Sequence, residues 1–304
     1  VLSKSAVSGF TATQAAALST TQFSSLGATK VAALSSTAAS ALSAGALGTL
    51  TTTQLASPDF PASWAAALTS TQLNGLSTSQ IGAMSATLIS GLTPDQLGAM
   101  TVSAFATLSS TQIGALSPTA ITGMTGDQVD QLTLTQLSGL KSAQIGALTT
   151  TDIGHLDTGD IAAMTATQLA GLVRVQLRTL TETQIGAFST TQIAALSGEQ
   201  IGSLSSTRLS GFTPAQFSTL TSTQIGALTS AQLSNLPAWV GTFTPLQLSG
   251  LTSTQISGIS TTAIGALSVT QIDALTPTQI SGFTPDQLTS LTQEQKDAIL
   301  RAIS

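Results

Sequence analysis

One eight-residue pattern, [Ser/Thr]-x-x-Gln-[Ile/Leu]-x-[Ala/Gly]-Leu, recurs through almost the whole chain. Ser77 to Met84 reads Ser-Thr-Ser-Gln-Ile-Gly-Ala-Met, and Thr221 to Leu228 reads Thr-Ser-Thr-Gln-Ile-Gly-Ala-Leu. A short fixed period marks a fold whose units cannot stand alone and bury their apolar faces by stacking. The octads run from Ser3 to Pro58, skip Asp59 and Phe60, and run again from Pro61 to Leu236. They skip residues 237–243 and resume from Thr244 to Ile299. Residues 292–304 are more charged and more continuously helical in pattern, and read as a terminal cap. A single elongated solenoid over 1–304 is the expectation.

Three signals place a short helix in each octad. Ser or Thr followed three residues later by Gln is the capping box, in which each side chain satisfies a backbone N–H at the helix start. Proline stands at the second position in Pro94, Pro118, Pro214, Pro245, Pro277 and Pro285, where its missing N–H costs nothing. The apolar fifth and eighth residues are three apart and so share one helical face. A continuous helix fails on arithmetic. Eight residues at about 3.6 per turn rotate the apolar pair by ~80° per repeat, so no stripe forms. The expected fold class is therefore an all-α repeat solenoid of one- to two-turn helices, one per octad. The alternative is a β-solenoid with sixteen residues per coil, but it calls for period-two alternation and β-branched cores, which the apolar pair does not supply. One octad buries roughly two large side chains, worth about 3–6 kcal/mol, against ~12 kcal/mol of ordering entropy. Each octad must share its apolar face with neighbours, and the small seventh position, with glycine often at the sixth, lets turns approach closely.

Strict spacing of Ile and Leu excludes disorder, although only 7% of residues are charged, against about 25% in ordinary soluble proteins. The net charge of -5 is spread thinly without acidic or basic runs, so no nucleic-acid partner is expected. Ser, Thr or Gln interrupts every apolar stretch well short of the ~18 residues a spanning helix needs, so membrane insertion is not expected. With no cysteine, disulfides and thiolate metal sites are out. Val1 is followed by no leader pattern, which reads as a processed or partial chain.

Few residues could carry chemistry. The single histidine lies in Asp152-Ile-Gly-His155-Leu-Asp157-Thr-Gly-Asp160, the densest ionisable cluster. Asp152, His155, Asp157 and Asp160 form a weak divalent-metal candidate; the plainer reading makes Asp157 an N-cap and puts Asp152 and Asp160 in the place of the capping Gln. The expected metal and cofactor complement is none. There is no Gly-x-Ser-x-Gly elbow, phosphate loop, zinc spacing or calcium loop, so neither enzyme activity nor a small-molecule substrate is expected. The two interruptions hold both tryptophans, in Pro58-Asp-Phe60-Pro61-Ala-Ser-Trp64 and Pro237-Ala-Trp239-Val-Gly-Thr-Phe243. Their aromatics either plug a gap in the stack or serve as contacts for a neighbouring subunit. Phe60, Trp64, Trp239, Phe243, and in the terminal segment Lys296 and Arg301, are thus candidate assembly contacts.

With the fifth and eighth residues inside, ladders of Ser and Thr hydroxyls beside a Gln ladder are expected outside. Such a surface is polar yet nearly uncharged and offers little repulsion between copies. An open solenoid also has unfinished ends, and head-to-tail contacts that do not close make filaments. The octads resemble the low-complexity tandem repeats of large secreted bacterial surface and adhesin-like proteins. That resemblance implies export and a role in cell-surface fibres, sheaths or adhesion. The calcium-binding Gly-Gly-x-Gly-x-Asp nonapeptides common in such proteins are missing. Ser110-Thr-Gln112 and Ser222-Thr-Gln224 also give a partial likeness to ice-nucleation proteins, without the tyrosine ladder of that family. The functional expectation is an extracellular structural protein that assembles with copies of itself as a filament, sheath or surface layer. The alternatives are the stalk of a larger adhesin and an ice- or surface-binding Thr array.

Overall fold

The computed structural model describes residues 2–235 and 238–303, apart from the side chains of Ala238 and Trp239. Among the described residues there are 36 α-helices, one 3-10 helix and no strand, so the protein is an all-α repeat solenoid and the β alternative falls. The repeat chemistry forms these helices as the capping box dictates. In the octad beginning at Ser109, Ser109 Oγ accepts from Gln112 N at 3.3 Å and Gln112 Oε1 accepts from Ser109 N at 2.7 Å. The helix Ser110–Ala115 then ends at Leu116 with φ -55° and ψ 139°, and Ser117 follows with φ -68° and ψ 149°. Two extended residues in succession turn the chain. None of the six prolines at the second position breaks a helix; each is its first residue. No described residue has positive φ, so the corners need no glycine.

Inside each compact unit helices pack on the helix three repeats further along, which sets three octads per coil there. The chain divides into two compact units, Val1–Leu156 and Asp157–Ser304. In the first, Ala12–Ala16 packs on Ser36–Ser40, and Ser110–Ala115 packs on Leu134–Gly139. In the second, Ala166–Leu169 packs on Thr190–Ala195, and Val269–Asp273 packs on Gln293–Ile303. In both, the fifth and eighth residues make the core: Ile113 and Ile225 are buried, as are Leu116 and Leu228.

The two interruptions differ from their sequence reading. Pro58 is exposed while Phe60 is fully buried, so Phe60 fills the apolar eighth position and Thr51 to Phe60 is one repeat lengthened by two residues. Residues 238–243 are no insert but take the place of a repeat. Their 3-10 helix, Ala238–Thr242, packs between Pro214–Ser218 and Thr261–Gly265, where an octad's helix would stand. Val240 and Phe243, again three apart, are its buried pair.

Glycine matters through proximity. The seventh residue of one coil lies over the second residue of the coil beneath. A Cβ on Gly123 would sit 2.1 Å from Pro94 O, and one on Gly139 would sit 2.2 Å from Ser110 O. The relation reverses where the seventh residue is large: His155 lies over Gly126, where a Cβ would be 2.4 Å from His155 Nε2. Bulk above is matched by its absence below.

Candidate functional site

The most regular polar array in the protein is the column of fourth-position glutamines, and it is internal. The outward Gln ladder expected from sequence is corrected here: Gln96, Gln128, Gln144, Gln192 and Gln224 are all at most 6% exposed. Each works twice. Its Oε1 accepts from the N-cap N–H of its own helix, and its Nε2 donates to main-chain carbonyls of an earlier coil. Gln144 Nε2 donates to Ile113 O and Leu116 O, both at 2.8 Å, and Gln224 Nε2 to Ile193 O at 2.9 Å and Leu196 O at 2.7 Å. Leu116 O and Leu196 O lie beyond the last bond of their helices, while Ile113 O and Ile193 O also accept from Leu116 N and Leu196 N of their own repeats. One carboxamide therefore satisfies an orphan donor in its own repeat and an eighth-position carbonyl 28 residues earlier, and gives a second donor to a carbonyl 31 residues earlier.

The spacing reports the register. The donation to the eighth-position carbonyl spans 28 residues in regular coils. Across the lengthened repeat it spans 30, from Gln72 to Leu42 and from Gln80 to Leu50. Across the shortened one it spans 27, from Gln247 to Leu220 and from Gln255 to Leu228. Gln14 and Gln22, in the first coil, keep only the capping half and are exposed.

Where another residue takes the fourth position, it does part of this work. Arg208 Nε donates to Leu180 O, the same 28 residues back, but offers no acceptor to its N-cap. Asp152 does the reverse: its Oδ2 accepts from Thr149 N at 2.8 Å and Thr149 Oγ1 at 2.7 Å. Asp157 Oδ1 accepts from Asp160 N at 2.8 Å, and Asp160 Oδ2 accepts from Asp157 N at 3.0 Å. Three of the four metal candidates are thus committed to capping. The fourth, His155, meets Asp130 instead, Nδ1 to Oδ1 at 2.9 Å, on an exposed edge. Among the described residues no group of three or more such side chains could hold a metal ion, and the weak metal candidate is not assembled.

The aromatic assembly candidates lie in the core. Trp64 occupies a fourth position, is 1% exposed, and meets Phe60 edge-on with centroids 4.9 Å apart. Phe243 is 2% exposed and packs beside Phe217. None of these three rings has a face left for a neighbour; the side chain of Trp239 lies outside the described residues. Lys296 is half-buried in the helix Gln293–Ile303, and Arg301 Nη2 reaches both oxygens of Asp273, at 3.0 and 3.2 Å, on the coil beneath.

Trp64 Nε1–H is buried without an acceptor among the described residues. A buried unpaired donor costs about 1–3 kcal/mol, so removing it offsets some of the lost ring volume. Trp64→Phe is expected to change stability by no more than about 1 kcal/mol, whereas Trp64→Ala costs about 3–5 kcal/mol. Urea unfolding of the two variants compares them directly.

No helix among the described residues is long and apolar enough to cross a membrane. The ALTTAQ repeat family profile matches residues 153–190 and 175–206. In the register used here those six letters are positions seven, eight and one to four, as in Ala187-Phe-Ser-Thr-Thr-Gln192. The chain is a repeat-containing protein, similar to that family over this stretch. No curated protein matches it.

Proposed function

We propose that this chain is a non-catalytic structural protein of the cell exterior that assembles with copies of itself into a filament, sheath or surface layer. One observation carries the reading: each coil offers the next the same apolar pair and the same glutamine donor, beneath a surface of Ser and Thr. Nothing in that design serves a cavity or a reacting group, and all of it serves extension by repetition. The outer face supports the same reading. It is hydroxyl-rich, and the chain has only 8 basic and 13 acidic residues in 304, so copies meet little repulsion. Export to the exterior is part of the proposal and follows from the repeat class it resembles.

The test is direct imaging of the purified protein across a concentration series, with light scattering in parallel. Polymers that grow with concentration are the expected result. Monomers at every concentration would sink the proposal.

A further inference from the structure

We infer that copies of this chain bind one another through two exposed patches, Val173, Arg174, Val175 and Arg178 of one copy meeting Asp127, Asp130 and Leu134 of another. The inference rests on the assembly reading above and names the surfaces that would carry it.

The repeat from Val173 to Leu180 breaks the pattern where the pattern faces water. Its N-cap is Val173, which makes no side-chain cap bond, so the hydroxyl that caps most other helices is given up. Val173 is 45% and Val175 57% exposed, on either side of Arg174 in sequence. Arg174 opens the helix Arg174–Leu177 and Arg178 is its C-cap; no two other cations stand so close in the sequence. Neither guanidinium is ion-paired among the described residues, although Glu199 borders the same hollow. Arg178 Nε donates to Ser203 O at 3.3 Å, which lays its side chain along the surface. An apolar, cationic patch made at the expense of a cap serves something other than folding.

The acidic patch lies at a corner. The helix Gly126–Asp130 carries Asp127 in its first turn and Asp130 as its last residue, and Leu134, 56% exposed, opens the next helix, Leu134–Gly139. Asp130 Oδ1 meets His155 Nδ1, while Asp130 Oδ2 and the Asp127 carboxylate have no partner among the described residues.

The two patches match in order and in sign. Arg174 and Arg178 are four apart and Asp127 and Asp130 three apart, so each pair stands one turn apart on its helix, roughly 5–6 Å between Cβ atoms. With the two helices laid antiparallel, Arg174 faces Asp130, Arg178 faces Asp127, and the valines beside Arg174 reach Leu134 beyond Asp130. Guanidinium–carboxylate pairs of this kind are directional and bidentate. Either patch against its own kind would set like charges face to face, so the contact is heterologous. Leu300 and Ile303 are exposed too, but they stand among charges of both signs, Glu294, Lys296, Asp297 and Arg301, and offer no such match.

The experiment uses the 304-residue chain in sedimentation velocity over a concentration series, with circular dichroism as the control for folding. Arg174→Glu with Arg178→Glu reverses one patch, and Asp127→Lys with Asp130→Lys reverses the other, all at exposed positions. Each double variant is expected to raise the concentration for half-assembly by roughly tenfold or more, the equivalent of 1.4 kcal/mol, with the helical signal unchanged. Mixed in equal amounts, the two variants again present opposite charges to one another and should assemble near the wild-type concentration. With no native cysteine to compete, Leu134→Cys mixed with Val175→Cys should form a disulfide-linked dimer under mild oxidation. Wild-type polymer with both reversals assembling equally well, or with no recovery on mixing and no cross-link, overturns the inference and leaves the assembly reading standing. Wild-type chain that stays monomeric overturns both.

Discussion

Gly139→Ala is expected to destabilise the protein by about 3 kcal/mol, a large effect for one methyl group. The added Cβ would fall 2.2 Å from Ser110 O and 2.8 Å from Ser110 Cα, and a backbone cannot swing aside as a side chain can. The coils must part locally, loosening packing and glutamine bonds together. Gly154→Ala is the matched control, because a Cβ there meets nothing within 4 Å. It lies inside the helix Thr150–His155, so alanine should stabilise by about 0.4–1 kcal/mol through helix propensity and a less disordered unfolded chain. Shifts of opposite sign in the urea midpoint are the expected outcome; equal shifts would mean that coil spacing does not depend on these glycines.

Gln112→Leu should be comparably severe, at on the order of 4 kcal/mol, because it strands several buried groups at once. Gln112 Oε1 accepts from Ser109 N at 2.7 Å, and Nε2 donates to Gly82 O at 3.0 Å and Met84 O at 2.8 Å. Leucine conserves most of the volume, so the loss measures the hydrogen bonds more than a cavity. The same substitution at exposed Gln14 removes only the cap and should cost about 1 kcal/mol. Thermal unfolding of both variants reads the difference between local capping and bonding between coils. Equal losses would count against a second role for the glutamine.

Much of this architecture is legible in the sequence because it is local. The capping box, the N1 proline and the apolar pair all lie within one eight-residue repeat, and each takes the place the pattern predicts. The second role of glutamine is invisible at that range because its acceptors lie 27 to 33 residues back, and by local pattern alone a polar side chain belongs on the surface. A chemical signal was nevertheless present. Capping alone accepts Glu as readily as Gln, and the helix dipole favours Glu. Yet 24 of 36 octads carry Gln at the fourth position and none carries Glu, which points to a required donor. Phe60 is hidden from an eight-residue count through Pro58, because burial follows the apolar residue and not the count. Val240 and Phe243 carried the three-residue spacing of an ordinary repeat, hidden by a missing residue and a missing Gln. The metal candidate rested on carboxylate spacing, but that same spacing is what caps two consecutive helices.

The matching of seventh residue over second residue ties each octad to the one three repeats before it. Gly139 has a partner in Ser110 and His155 in Gly126 only because each pair stands three repeats apart. Replication slippage that deletes an octad gives new partners only to the three octads that follow the joint, and every later pair stays intact. Deleting three octads disturbs the same number of pairs. Length variation in genes for such chains is therefore set by the residues at the joint, glycine meeting bulk, and not by how many octads are gained or lost, which a comparison of joints across natural variants would read.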